Sequence, residues 1–191
     1  MFAQHGYRGT SLASIADAAQ LSQPGLLHHY RSKTELLLAV LASRDAEDEQ
    51  VASAKLGQGG IGIIDGCGAL VAHNQGEPQL VRLFSMLLGE ALDADHPAHD
   101  YFISRYDRVR SQLVRDLLDA RQAGQLDEQL DVEALASLLI AVMDGLQFQW
   151  LLDDSVDMRA SYETFANLIR STLPPHTPLA GPSPAAPASR Q

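Results

Sequence analysis

The sequence predicts an all-α chain in which a small N-terminal helix-turn-helix head is joined to a larger helical bundle. Three observations lead there. Apolar residues recur at helical spacing near the start of the chain and again in broad stripes toward its end. Helix start and stop signals bracket these stripes, and no stretch alternates apolar and polar residues as a half-buried strand would.

The first pattern runs from Thr10 to Lys33. Leu12, Ile15, Ala16 and Ala19 fall at i, i+3, i+4 and i+7, on one helical face, and Thr10 or Ser11 can cap the amides before them. After Gln20-Leu21, Ser22 is a second N-cap and Pro24 falls in the first turn, where its missing N–H is harmless; a second helix then runs through Leu26, Leu27 and Tyr30. In a helix-turn-helix the first helix braces the second, whose N-terminal residues enter the major groove. Ala13, Ala16 and Ala19 are small enough for a close crossing, and Gly25 beside Pro24 leaves room for approach to a nucleic-acid backbone. Leu12, Ile15, Leu21 and Leu27 are expected in the head's core, where Asp would unfold it.

A third helix starts at Ser32 or Thr34, runs through Leu36, Leu37, Val40 and Leu41, and turns polar at Arg44 to Gln50, which reads as a solvated face. A glycine-rich break at Gly57 to Gly62 precedes a loosely helical Ile63 to His73. A stronger helix spans Pro78 to Leu92. Pro97 is expected to open the next one, with Asp95 or His96 as cap and Gly124 as stop. Asp131 caps a segment whose Leu135, Leu138, Leu139, Val142, Met143, Leu146 and Trp150 form a stripe too wide for one partner. A last helix, from about Met158 to Leu173, presents Tyr162, Phe165, Leu168 and Ile169. Residues 174–191 carry six of the nine prolines amid Ala and Ser, a composition that predicts disorder.

Charge divides along the same line. The chain is acidic, net −10, yet positions 1–44 hold Arg8, Arg31, Lys33 and Arg44 against Asp17 and Glu35, net +2, with the rest at −12. A local positive face suffices for nucleic acid, and the acidic body would help orient the docking. The single Cys67 makes no internal disulfide; it suits a reducing cytoplasm and reads as a small buried hydrophobe. No secretory signal and no run of membrane-spanning length is read.

Phe-Ala-Gln-His-Gly-Tyr-Arg-Gly-Thr-Ser-Leu, Ile-Ala, Leu-Ser and Tyr-Arg-Ser-Lys-Thr-Glu-Leu-Leu, within positions 2–37, resemble the TetR family of transcriptional regulators. The resemblance implies three DNA-binding helices and a fourth linking them to a ligand-binding and dimerisation bundle. It divides this chain into a head at 1–44, a body at 45–173 and the tail. The family's first helix begins upstream of the position matching Met1, so only its last turn is expected here. The family usually has Gly where this chain has Gln20, because the turn favours positive φ, and often Tyr where it has His28.

The implied DNA-binding set is Thr10, Ser11, Ser22, Gln23, Pro24, Gly25, His28, His29, Tyr30 and Lys33. Gln23 is the candidate for a base edge, because an amide pairs bidentately with adenine, and His29 for a guanine edge or a phosphate. Thr10, Ser11, Ser22, Tyr30 and Lys33 are expected to cap or to position phosphates, with Lys33 opening the linking helix. Asp144-Gly145-Leu146 and Gln149-Trp150-Leu151-Leu152 resemble the dimer region, so a homodimer through the last two helices on a palindromic double-stranded operator is implied. The implied mechanism is repression relieved by a small molecule that shifts the linking helix. Phe84, Met86, Leu87, Tyr101, Tyr106, Met143, Gln147 and Trp150 are candidate pocket residues, most of them equally readable as core. The alternative is a ligand-binding helical dimer whose DNA binding is lost or weakened by the shortened first helix.

Three arrangements resemble chemical sites without being read as such. Gly57 to Gly62 fits Gly-x-Gly-x-x-Gly but lacks the preceding strand and a following acidic residue, so it reads as a linker and no cofactor is expected. Asp95, His96, His99 and Asp100 could hold a metal, but a helix start explains them better; His28 and His29 point about 100° apart and would not converge on one ion. No nucleophile-base pair supports an enzyme.

Overall fold

A computed structural model describes residues 1–56 and 62–171. In chain order these form α1 (Phe2–His5), α2 (Leu12–Ala18), α3 (Gln23–His29), α4 (Lys33–Leu56), α5 (Gly62–Gly76), α6 (Pro78–Glu90), α7 (His99–Gln122), α8 (Val132–Leu152) and α9 (Met158–Ser171), with no strand among the described residues. Most of the glycine motif and the proline-rich tail lie outside them.

Two apolar cores hold the molecule. One gathers Ile64, Cys67 and Val71 of α5, Leu117 of α7, Leu139 of α8, and Met158, Tyr162 and Ala166 of α9. Burial pushes the Cys67 thiol up to about 12, consistent with an inert packing residue. The other begins in the head with Phe2, Ala16, Leu26, Leu37 and Leu41 and continues into Leu83, Phe84 and Leu87 of α6, Ala91 just after it and Phe102 of α7. The head therefore has no closed core of its own: it is finished by the body.

Local chemistry accounts for the ends. Asp131 accepts from the Glu133 and Ala134 amides at 3.1 and 3.0 Å. Gly124, at φ 72, ends α7 with the Gln125 N–H reaching back to the Ala120 carbonyl at 2.9 Å. The start of α7 differs from expectation. It opens at His99 with Ala98 before it and no side-chain cap, because His96 is buried, accepting the Ala98 N–H at its Nδ1 (3.3 Å), instead of capping.

α8 corrects a second expectation, being both long and apolar enough by composition to cross a membrane. Its apolar surface is shared between the core and an exposed stripe. Leu138 is 55% exposed, Phe148 41% and Leu152 88%, in line with Ala141 and Gly145 at successive turns. On α9, Leu168 is 63% exposed beside the small Ser161 and Thr164.

Candidate nucleic-acid interface and the body that carries it

α2 and α3 are short, and each depends on a serine. Ser11 Oγ accepts the Ser14 N–H at 3.0 Å while Ser14 Oγ accepts the Ser11 N–H at 3.2 Å, a reciprocal capping box. Ser22 Oγ accepts the Gly25 N–H at 3.1 Å, with Pro24 in the first turn. Between them Gln20 sits at φ 57, the one non-glycine residue at positive φ among those described, and the Leu21 N–H closes onto the Ala16 carbonyl at 2.8 Å. The turn is the left-handed helix stop that glycine serves best, and Gln there costs on the order of 1 kcal/mol.

Only Leu26 of α3 is buried. Gln23, Pro24, His28 and His29 are exposed on it, the two imidazoles edge-on at 5.5 Å, and Gly25 faces nothing nearer than its own capping hydroxyl. The exposed set thus keeps Ser11, Ser22, Gln23, Pro24, His28 and His29 of the sequence-derived residues.

Thr10 is a correction: it is 2% exposed and donates to the Gly6 carbonyl at 2.8 Å, so it neither caps α2 nor reaches a phosphate. Tyr30 ends α3 in extended conformation and packs, half-buried, on the head's core. Lys33 does open α4, but its ammonium donates to the Tyr7 and Thr10 carbonyls at 2.9 and 2.8 Å and lies 4.2 Å over the Tyr7 ring. Among the expected core residues Leu12, Ile15 and Leu27 are half-buried, while Leu21 is 46% exposed. Of the three alanines only Ala16 is buried; Ala13 and Ala19 face outward.

The positive balance of the head is also redistributed. Arg44 turns into the body and Lys33 braces backbone, leaving Arg31 exposed beside α3 and Arg8 exposed while it meets Asp93 at 3.2 Å.

The polar middle of α4, expected as a solvated face, is divided: Glu47, Glu49 and Gln50 are exposed, while Arg44, Asp45 and Asp48 form a clamp turned inward. Arg44 lies 3.4 Å from Asp48, both nearly inaccessible. Asp45 accepts from Tyr101 Oη at 2.6 Å, Arg105 Nε at 2.7 Å and Arg108 Nη2 at 2.7 Å, all on one face of α7. The Arg44 and Arg105 guanidiniums lie 4.2 and 4.5 Å over the Phe84 ring. Burial raises the Asp48 carboxyl and lowers Arg44; burial also opposes the charge on Arg105, but Asp45, with help from Asp48 and Asp144, outweighs it and raises that group. The signal lay in the sequence as Tyr101, Arg105 and Arg108 at i, i+4 and i+7, an acid-seeking face opposite Asp45.

The eight candidate pocket residues do not converge. Phe84, Leu87, Tyr101 and Tyr106 belong to the head-side core, Met143 and Trp150 pack on the other, Gln147 is buried, and Met86 is half-buried. Tyr106 alone of them lines an open, mostly apolar groove of about 380 Å³ between the end of α6 and α7, together with Leu88, Leu92, His99, Phe102, Ile103 and Arg110. Its hydroxyl donates to Asp144 at 2.6 Å. His99 Nδ1 lies 2.8 Å from the Ala91 carbonyl and His96 Nε2 3.3 Å from Glu90, so these histidines engage separate partners. No cluster of three His, Cys, Asp or Glu placed for a metal occurs among the described residues.

A capped recognition helix exposed on a small head, joined by a long helix to an all-helical body, defines a helix-turn-helix transcriptional regulator. Residues 1–40 match the family of bacterial regulatory proteins typified by TetR, and residues 65–174 match the C-terminal part of the BetI-type transcriptional repressors. The chain belongs to the TetR family of DNA-binding regulators. Two regulators of Pseudomonas putida are similar along most of their length: the probable HTH-type transcriptional regulator ArpR is 27% identical and the HTH-type transcriptional regulator TtgR 26%, each over 87% of this chain and 82% of the relative. A TetR regulator from Chloroflexus aurantiacus has the same fold at TM-score 0.77 and 21% identity, covering 90% of this chain and 89% of that one. So does the Bacillus subtilis regulator FadR, solved with stearoyl-CoA, at 0.76 and 15%, over 90% and 92%.

Proposed function

We propose that the chain is a homodimeric, cytoplasmic repressor that sets two copies of α3 in consecutive major grooves of a palindromic or near-palindromic operator and releases it when a small molecule occupies the body. The observation that carries this reading is the exposed face of α3, where Gln23, Pro24, His28 and His29 stand clear on a helix fixed by the Ser22 cap. On this reading Gln23 in the first turn reads an adenine edge, His29 a guanine edge or a phosphate, and Ser11, Ser22 and His28 position the backbone. Lys33 retains one donor for a phosphate after its two carbonyl contacts.

The exposed Leu138, Phe148 and Leu152 of α8 and Leu168 of α9 support pairing with a second copy, and Gly145, beside which a Cβ would meet nothing, permits close approach. The groove at Tyr106 is the candidate place for the effector, a choice supported by its mostly apolar lining and by the Tyr106 hydroxyl that leads to Asp144. Two structural neighbours were solved with ligands as different as stearoyl-CoA and choline, which supports a small-molecule effector for this chain.

The test is selection of bound duplexes from a random pool by the full chain, with light scattering of the same sample. A two-fold symmetric consensus and a dimer are expected. A pool without enrichment, or a monomer at micromolar concentration, overturns the reading.

A further inference from the structure

Glu90 ends α6 with an acidic side chain where a helix terminus disfavours negative charge, and no basic residue in that last turn offsets it. Its carboxylate is engaged by the head. Oε2 accepts the Tyr7 N–H at 3.0 Å and stands 3.3 Å from His96 Nε2. Oε1 fills the space that a Cβ at residue 6 would need, and Gly6 turns there at φ 65.

The peptide so gripped is the junction of the head. Gly6 receives the Thr10 hydroxyl on its carbonyl at 2.8 Å, Tyr7 receives Lys33 on its carbonyl at 2.9 Å, and the Tyr7 hydroxyl lies 2.8 Å from Thr34 Oγ1. The Tyr7 ring meets buried His96 edge-on at 5.4 Å. α1, the approach to α2 and the first turn of α4 therefore all hang on residues 6–10. On its other side the chain around Glu90 walls the groove, through Leu88, Ala91 and Leu92.

We propose that Glu90 is the positioning residue through which the body sets the orientation of the DNA-binding head. A molecule that moves the end of α6 in filling the groove draws the carboxylate off the Tyr7 N–H and frees residues 6–10, and α2 and α3 with them. The contact joins α6 to the head directly, without passing through the length of α4. This inference rests on the DNA-binding reading above and adds how it is regulated.

The test compares full-length Glu90→Ala, Glu90→Gln and Gly6→Ala with the wild type, by amide hydrogen exchange and by affinity for a duplex that the wild-type chain has selected from a random pool. Glu90→Ala is expected to speed Tyr7 exchange and weaken duplex binding, each about tenfold, while α5 and α8 keep their rates. Glu90→Gln, which keeps an acceptor oxygen, restores both toward wild type. Gly6→Ala weakens binding less in the Glu90→Ala background than alone, because the collision partner is gone. Should Glu90→Ala lose protection throughout, Glu90→Asp, one methylene short of the contact, replaces it with the same expectation. Unchanged Tyr7 exchange overturns the proposal, and so does faster exchange with unchanged affinity. If the wild type selects no duplex the DNA-binding reading fails, while Tyr7 and α3 exchange still decide whether Glu90 holds the head.

Discussion

α3 and α8 both leave a face uncovered, and the two faces are opposite in chemistry. α3 is seven residues long, buries Leu26 and turns an amide, two imidazoles and a proline outward; α8 is 21 residues long, buries five and still exposes Leu138, Phe148 and Leu152. A short helix with one buried residue is held by its cap and its neighbours, and its outer face is free to suit a polar partner. A long helix with more apolar surface than one core can absorb calls for a second apolar surface. On the proposed reading the first face meets duplex DNA and the second another copy of the chain, with the Asp45 clamp and Glu90 between them.

The sharpest way to break this comparison is at α8. Phe148→Glu places a charge in the exposed stripe and is expected to weaken self-association at least about 100-fold, roughly 3 kcal/mol, measured by sedimentation, with unfolding of the monomer little changed. At the joint, Arg105→Met removes one partner of a buried ionic group and is expected to cost about 3 kcal/mol in urea unfolding, because Asp45 and Asp48 keep their charge with less compensation. On α3, Gln23→Ala is expected to lose about 1–3 kcal/mol of operator affinity and to relax selection at one base position while leaving the dimer intact. Gln20→Gly relieves the left-handed turn before α3 and is expected to raise head stability by roughly 1 kcal/mol, read from exchange of the Leu26 and Tyr30 amides.

The smallest effect concerns Asp144. Burial raises its carboxyl above the ordinary 3.8, against the lowering influence of the Tyr106 hydrogen bond and Arg105. The folded chain thus binds that proton more tightly than the unfolded one, so the group's contribution is most favourable at low pH and declines as pH rises through the folded value. Relative to Asp144→Asn, wild-type stability is expected to fall as pH rises above 3.8 and to level off beyond the raised value, as urea midpoints across that range would test.

The head was legible because its signals are local. Ser11, Ser22, Pro24 and the i, i+3, i+4 spacing act within one or two turns, and Gln20 stood out because glycine is the residue its φ favours. The fate of Thr10 and Lys33 was not legible: both carry groups fit for phosphate, and only the nearness of Gly6 and Tyr7 consumes them. The clamp was misread for the same reason. A run of charges at 44–50 is a solvated face unless another helix brings Tyr101 and two arginines to it.

What the amino-acid order determined by itself was the all-helical class, the capped turn before Gln23 and the surplus of apolar residues on α8, since propensity, capping and periodicity operate over a few residues. What tertiary structure decided was which charges face water. Arg44, Asp48, Lys33 and Glu90 look alike along the chain, and their roles follow from partners 4 to 83 residues away, whose approach is set by how the helices stack.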